Sequence, residues 1–197
     1  VTLAVPVYSF QYAIDQDPAY LDNKTWQWSY DASVFTIKYK ARLTGQIRDD
    51  DVLWKMYITR EGAGGFNEFL WFEGTSDLDG KGGEWTLYHS ATYQEPVLEI
   101  IWEGNGTDVT YVKYSYVRTL NDNRDPDTFN TSYIEYGVQT GSLDRYYSIY
   151  YYNGSGFSTM DVEWSSAAGN GRVMCEAFFS DALWHCWDIN YLNVDCP

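Results

Sequence analysis

The chain is poor in the residues that most catalytic and metal chemistry draws on: its 197 residues include only two histidines, three cysteines and thirteen lysines and arginines. His89 and His185 lie far apart, outside any HExxH, HxH or CxxC context, so neither a histidine zinc site nor a Ser–His–Asp triad is expected. His89 reads instead as a sheet residue on the face of Trp85 and Leu87, and His185, between Trp184 and Cys186, as support for the tail. With 28 acidic residues the net charge is −15. That balance argues against nucleic acid, whose phosphates need clustered Lys and Arg, and against electrostatic docking on anionic lipid. It suits a domain kept apart from its neighbours by self-repulsion, with cation binding or an acidic interaction surface as alternatives. No apolar run approaches the roughly 20 residues that span a bilayer. No signal peptide is visible, and Val1 reads as the start of a trimmed mature chain.

Rings are plentiful. Nine Trp, nineteen Tyr and nine Phe make up 19% of the chain, and flat rings suit a half-buried pleated surface. From Phe66 to Val117, Glu68–Gly74, Glu84–Ser90, Val97–Glu103 and Val109–Val117 alternate large apolar with polar side chains. SDLDGKGG, ATYQEP and GNGTD separate them with turn chemistry. Upstream, Trp26, Trp28 and Tyr30 share one face; Phe35, Ile37, Tyr39, Ala41 and Leu43 share another, opposite Lys38, Lys40 and Arg42; Trp54, Met56 and Ile58 follow. Downstream, strands are expected at Tyr133–Val138, Tyr146–Tyr152, Met160–Ser165, Arg172–Ala177 and Trp184–Asp188. Leu70 and Phe72 against Phe69 and Trp71 place large groups on both faces of one strand, which implies packing on each side or a cavity.

Roughly a dozen strands predict an all-β fold, an antiparallel meander closing into a lipocalin-like β-barrel, with a two-sheet β-sandwich as the alternative. Closure is expected because long aromatic edges invite pairing with other chains. Residues 1–24 differ: Val7, Phe10 and Ile14 recur at helical spacing between Pro6 and Pro18. They predict a linker and one short helix packed on the sheet, with residues 25–197 as a single barrel domain.

Candidate chemistry is sparse. Trp71, Trp85, Trp102, Tyr114 and Tyr116 would floor a pocket for a small apolar or glycan ligand, unless they simply build the core. Glu68, Glu73, Glu84, Glu99, Glu103, Glu135 and Glu163 lie on strands and would serve glycoside hydrolysis if two faced each other, though cross-strand cations compete, as Lys113 would for Glu99. Asp77 and Asp79 in SDLDGKGGE, and Asp125 and Asp127 in NDNRDPD, space oxygens as calcium loops do, yet turn formation alone accounts for them; beyond such Ca²⁺ no cofactor is expected. Asn23, Asn105, Asn130 and Asn153 open Asn-x-Ser/Thr triplets, which matter only in a chain secreted by a eukaryote. Cys186 and Cys196 sit in the compact tail WHCWDINYLNVDCP. A bridge there would restrict the unfolded chain by about 3 kcal/mol. Cys175 would remain as a small buried apolar group, and the compartment would be oxidising; an intracellular chain of free thiols is the alternative.

The segments NKTWQWSY, VLWKMYIT, FNEFLWFEGTSDLDGKGGEWTLY, PVLEIIW and SYIEYG, with the ending NGRV…LWHCWD…VDCP, resemble an uncharacterised family of bacterial secreted lipoproteins. In that family a lipidated N-terminal Cys and a short linker precede an all-β domain. The resemblance implies export and outer-membrane anchoring through a lipid outside this sequence, and pairing of Cys186 with Cys196; it carries no catalytic residues. The expected function is a non-enzymatic extracytoplasmic binding or accessory protein of the bacterial envelope, taking a small apolar or glycan ligand. A subunit of an outer-membrane protein complex, without a small ligand, is the second reading, and a glycan-active enzyme with paired carboxylates the third.

Overall fold

A computed structural model describes residues 4–196. Fourteen strands form a single antiparallel sheet whose spatial order follows the chain order throughout. Of two compact units, Val1–Val97 and Leu98–Pro197, the first holds helix α1 (Ala4–Ile14) and strands β1 (Ala19–Tyr20), β2 (Thr25–Val34), β3 (Ile37–Ile47), β4 (Asp51–Arg60), β5 (Phe66–Asp77) and β6 (Gly82–Tyr88).

The core of this unit is one face of β2–β6. Trp28, Leu43, Met56, Phe72 and Leu87 stand opposite one another in a single cross-strand row. The adjacent row on that face alternates Trp26, Gly45, Trp54, Gly74 and Trp85. A Cβ on Gly45 would lie 2.7 Å from the Trp54 ring, and one on Gly74 would lie 2.7 Å from that of Trp85. Bare backbone thus lets each indole lie across its neighbouring strand. Helix α1 covers the rings: Phe10 sits edge-on to Trp54 at 5.2 Å and to Trp85 at 5.5 Å, and Tyr12 meets Tyr30. The fully buried Ala13 lets the helix come close. The opposite face carries the ion pairs Lys40–Glu61, Arg42–Glu68 and Lys55–Glu73.

Four expectations change here. The helix buries Ala13 and sets a half-buried Phe10 against the indoles, while Val7 and Ile14 are exposed; small Ala13 fits against the sheet where a larger side chain would hold the helix off. Phe35 is 98% exposed in the turn between β2 and β3, not in a strand. Register sets Trp28 opposite Leu43 and Tyr30 opposite Ala41, so two apolar sets expected on different faces share one. The two-faced run at residues 69–72 is a β-bulge: the register shifts between Met56/Tyr57, and one extra residue flips the alternation. Phe69 and Phe72 are therefore both buried on the core side, with no cavity needed to explain them.

The second unit carries β7 (Pro96–Gly104), β8 (Val109–Tyr116), β9 (Tyr133–Val138), β10 (Arg145–Tyr152), β11 (Phe157–Trp164), β12 (Gly171–Met174), the one-turn helix α2 (Glu176–Phe179), β13 (His185–Trp187) and β14 (Asn193–Val194). One face is apolar, with Trp102, Val112, Tyr136, Tyr147, Val162 and Val173 in a row. The other face is polar and aromatic, with Glu103, Tyr111, Gly137, Tyr146, Glu163, Arg172, Cys186 and Val194 in a row. Ring over glycine recurs: a Cβ on Gly137 would lie 2.3 Å from the Tyr146 ring, and one on Gly171 would lie 2.3 Å from that of Trp187. The strand expected at Arg172–Ala177 stops at Met174, where α2 takes over.

The strand order does not close on itself, so the expected barrel ring is absent from the described pairings. The terminal strands β1 and β14 are two residues each, too short to template another strand themselves, and β1 pairs with only Trp26 and Gln27 of the ten-residue β2.

Candidate functional site at three hairpin turns

The turns 139–144, 165–170 and 188–192 join β9 to β10, β11 to β12 and β13 to β14, so all three lie at one end of the second unit's strands. Side chains tie them together. Asp144 accepts the Ser166 N–H and the Ser166 hydroxyl, each at 2.7 Å, linking the first turn to the second. Trp187 Nε1 donates to the Gly169 carbonyl at 2.8 Å, linking the second turn to β13. In the third turn Asp188 Oδ1 accepts the N–H groups of Asn190 (2.8 Å) and Leu192 (3.0 Å). These hydrogen bonds favour the ionised carboxylates, so Ser166 holds Asp144, and Leu192 with Asn190 hold Asp188, below the usual range. The Cys186–Cys196 disulfide, with Cα atoms 5.2 Å apart, ties β13 to the chain beyond β14.

Between these turns opens a groove of about 650 Å³ lined by Gln139, Glu163, Asn170, Arg172, Trp187 and Asp188, together with Leu143, Ile189, Val194 and the disulfide cysteines. Arg172 is clamped. Its Nε donates to Glu163 Oε2 at 2.8 Å, its Nη2 forms an ion pair with the same oxygen at 2.6 Å, and its guanidinium lies 4.3 Å over the Trp184 ring. The guanidinium has five N–H donors, more than one carboxylate oxygen consumes. The groove therefore presents amide, carboxylate and guanidinium groups without concentrating charge of either sign. Such a lining matches a neutral, hydroxyl-rich ligand better than an anion or a metal ion.

None of the aromatic candidates lines the groove. Trp102, Tyr114 and Tyr116 share the apolar face of β7–β8; the groove's Glu163 and Arg172 belong to the opposite face. Tyr116 donates its hydroxyl to Asp127 at 2.9 Å, and burial, then Asp127, raises its pKa. In the first unit Trp85 lies beneath Phe10, and Trp71 sits at the β5 bulge beside Phe72. Among the described residues no group of three His, Cys, Asp or Glu could hold a metal ion. Asp79 is bound to Lys81 at 2.7 Å, Asp77 ends β5, and Asp125 and Asp127 close a loop braced by Asn121 and Tyr116.

The strand carboxylates are largely structural. Glu135 accepts the Tyr146 hydroxyl at 3.0 Å and pairs with Lys113 at 3.2 Å. Lys113 thus serves Glu135 and not Glu99, because Glu99 faces Ser115 one row away. Glu68, Glu73 and Glu163 are paired with Arg42, Lys55 and Arg172, while Glu84, Glu99 and Glu103 are exposed. His89 stacks on Tyr93, and His185 stacks on Phe179 at 3.8 Å with Nε2 3.0 Å from Asp181. Asn105 and Asn153 each accept two N–H groups of their own turns, Asn23 has φ 45, and Asn130 continues a turn from Asp127.

Comparison with protein-family models, with curated proteins and with solved structures finds no match for the chain. The groove residues gave little signal in sequence. Gln139, Asn170 and Asp188 stand in separate turns, and only antiparallel pairing brings those turns to one end.

Proposed function

We propose that the protein is a non-enzymatic extracytoplasmic binding protein of the bacterial cell envelope, and that it takes a neutral glycan in the groove between the three hairpin turns. The observation that carries this reading is the lining itself: the Glu163–Arg172 pair clamped on Trp184, set among Gln139, Asn170, Asp188 and Trp187. Sugars bind through dense hydrogen bonding to planar polar side chains combined with contact on aromatic rings. The disulfide supports an oxidising compartment, and the envelope placement rests on the resemblance carried by the sequence. Glu163, the strand glutamate that lines the groove, is paired with Arg172, which supports a binding role over glycoside hydrolysis, where one carboxylic acid must be free to give up its proton.

The test is saturation-transfer NMR of the intact chain with maltose, cellobiose and N,N′-diacetylchitobiose. Binding of at least one sugar, lost in Asn170→Ala with near-ultraviolet circular dichroism unchanged, supports the reading. Silence from all three sugars, or transfer undiminished in Asn170→Ala, sinks it.

A further inference from the structure

The turn that completes the groove exposes more apolar surface than its own folding explains. Ile189, Tyr191 and Leu192 are 64%, 76% and 62% exposed within five residues of chain. Flexible apolar turns collapse onto nearby surface. This one is held open. Asp188 accepts two of its N–H groups, the Asp188 N–H donates to the Leu192 carbonyl, the Tyr191 N–H donates to the Asp188 carbonyl, and the disulfide fixes the base of the hairpin. Ile189 and Val194 line the groove on its β13–β14 side and Leu143 lines it from the turn 139–144, with Asn170, Glu163 and Arg172 between them. The groove therefore has hydrogen-bonding residues at its centre and apolar residues on its β13–β14 side, where the chain continues into the exposed tip.

Resting on the glycan reading above, we infer that the ligand is amphiphilic: a neutral sugar carrying an apolar aglycone, the sugar held by Asn170, Glu163 and Arg172 at the centre of the groove and the aglycone laid against Ile189, Val194 and Leu192 on its β13–β14 side. Burial of apolar surface scales with the area removed from water, so the aglycone should add affinity that the sugar alone does not supply. The net charge of −15, with Asp188 and Asp195 flanking the tip, sets this surface against an anionic bilayer as the occupant.

Isothermal titration of the intact chain with maltose and cellobiose, and with n-octyl β-D-maltoside and n-octyl β-D-cellobioside below their micelle concentrations, reads this directly. The octyl glycosides are expected to bind about tenfold tighter or more than the plain sugars. Leu192→Ser should remove that gain and leave plain-sugar binding unchanged, while Asn170→Ala weakens both. Equal affinity for plain and octyl sugars, or a gain that survives Leu192→Ser, overturns the inference and leaves the glycan reading standing. Sedimentation with phosphatidylcholine vesicles, or concentration-dependent dimerisation, abolished by Leu192→Ser would assign the tip to a bilayer or a second copy and overturn it equally. Failure of every sugar to bind removes both readings.

Discussion

Replacing Gly171 by Ala tests whether ring-over-glycine packing shapes the groove. The new Cβ would lie 2.3 Å from Trp187 Cζ2 and 2.4 Å from the Glu163 carbonyl oxygen. Neither neighbour can yield cheaply: the oxygen is β11 backbone in the ladder with β12, and the indole is fixed by its bond to the Gly169 carbonyl. Overpacking of this kind typically costs about 1–3 kcal/mol, and loss of the indole bond about 0.5–1.5 kcal/mol. The expected destabilisation is about 2–4 kcal/mol, a fall in Tm of about 5–15 °C for a chain of this size. Urea denaturation followed by tryptophan emission measures it, with Gly156→Ala as the control, because nothing lies within 4 Å of a Cβ there. The backbone clash should persist without the ring, so Gly171→Ala should still destabilise a Trp187→Ala background. A loss below about 0.5 kcal/mol, the range of ordinary surface substitutions, would refute the packing argument.

Four further outcomes follow from other parts of the molecule. Phe10→Ala empties the contact of α1 with Trp54 and Trp85 and should cost about 2–4 kcal/mol in the same assay. Reducing the Cys186–Cys196 bond, whose partners are 10 residues apart, should cost about 3 kcal/mol, and alkylation of the unreduced, denatured chain should label Cys175 alone. Tyr88 and Tyr146 are pushed up to about 12 by burial and by Glu73 and Glu135, so ultraviolet titration should show them ionising last. The neutral phenols stabilise the fold fully below their unfolded pKa near 10, and that contribution disappears as pH rises through about 12. Asp144 and Asp188 have the opposite sign: their contribution is present above about pH 4 and is lost as pH falls through their depressed values, which the Trp187 indole N–H resonance should report.

Strand positions were largely legible. The alternation at Tyr133–Val138 and at Trp54, Met56 and Ile58 reports directly which side chains face one way, since the strand period is two. It failed where the local period broke. At residues 69–72 a bulge looked like a strand buried on both sides, and after Met174 a single helical turn was too short to show a period of its own. Pairing partners were harder to read than faces, because Lys113 lies within reach of two strands and only register decides between Glu99 and Glu135.

By itself the sequence determined the antiparallel β character, the helix near the N-terminus, the acidic balance and the cysteine pair in the tail, since each follows from side chains close together in the chain or from simple sums over it. The tertiary structure alone decided the open ladder, the glycines beneath Trp54, Trp85, Tyr146 and Trp187, and the meeting of three distant turns around Arg172. Those depend on register between strands, which is set by how whole faces pack and leaves no mark at any single position.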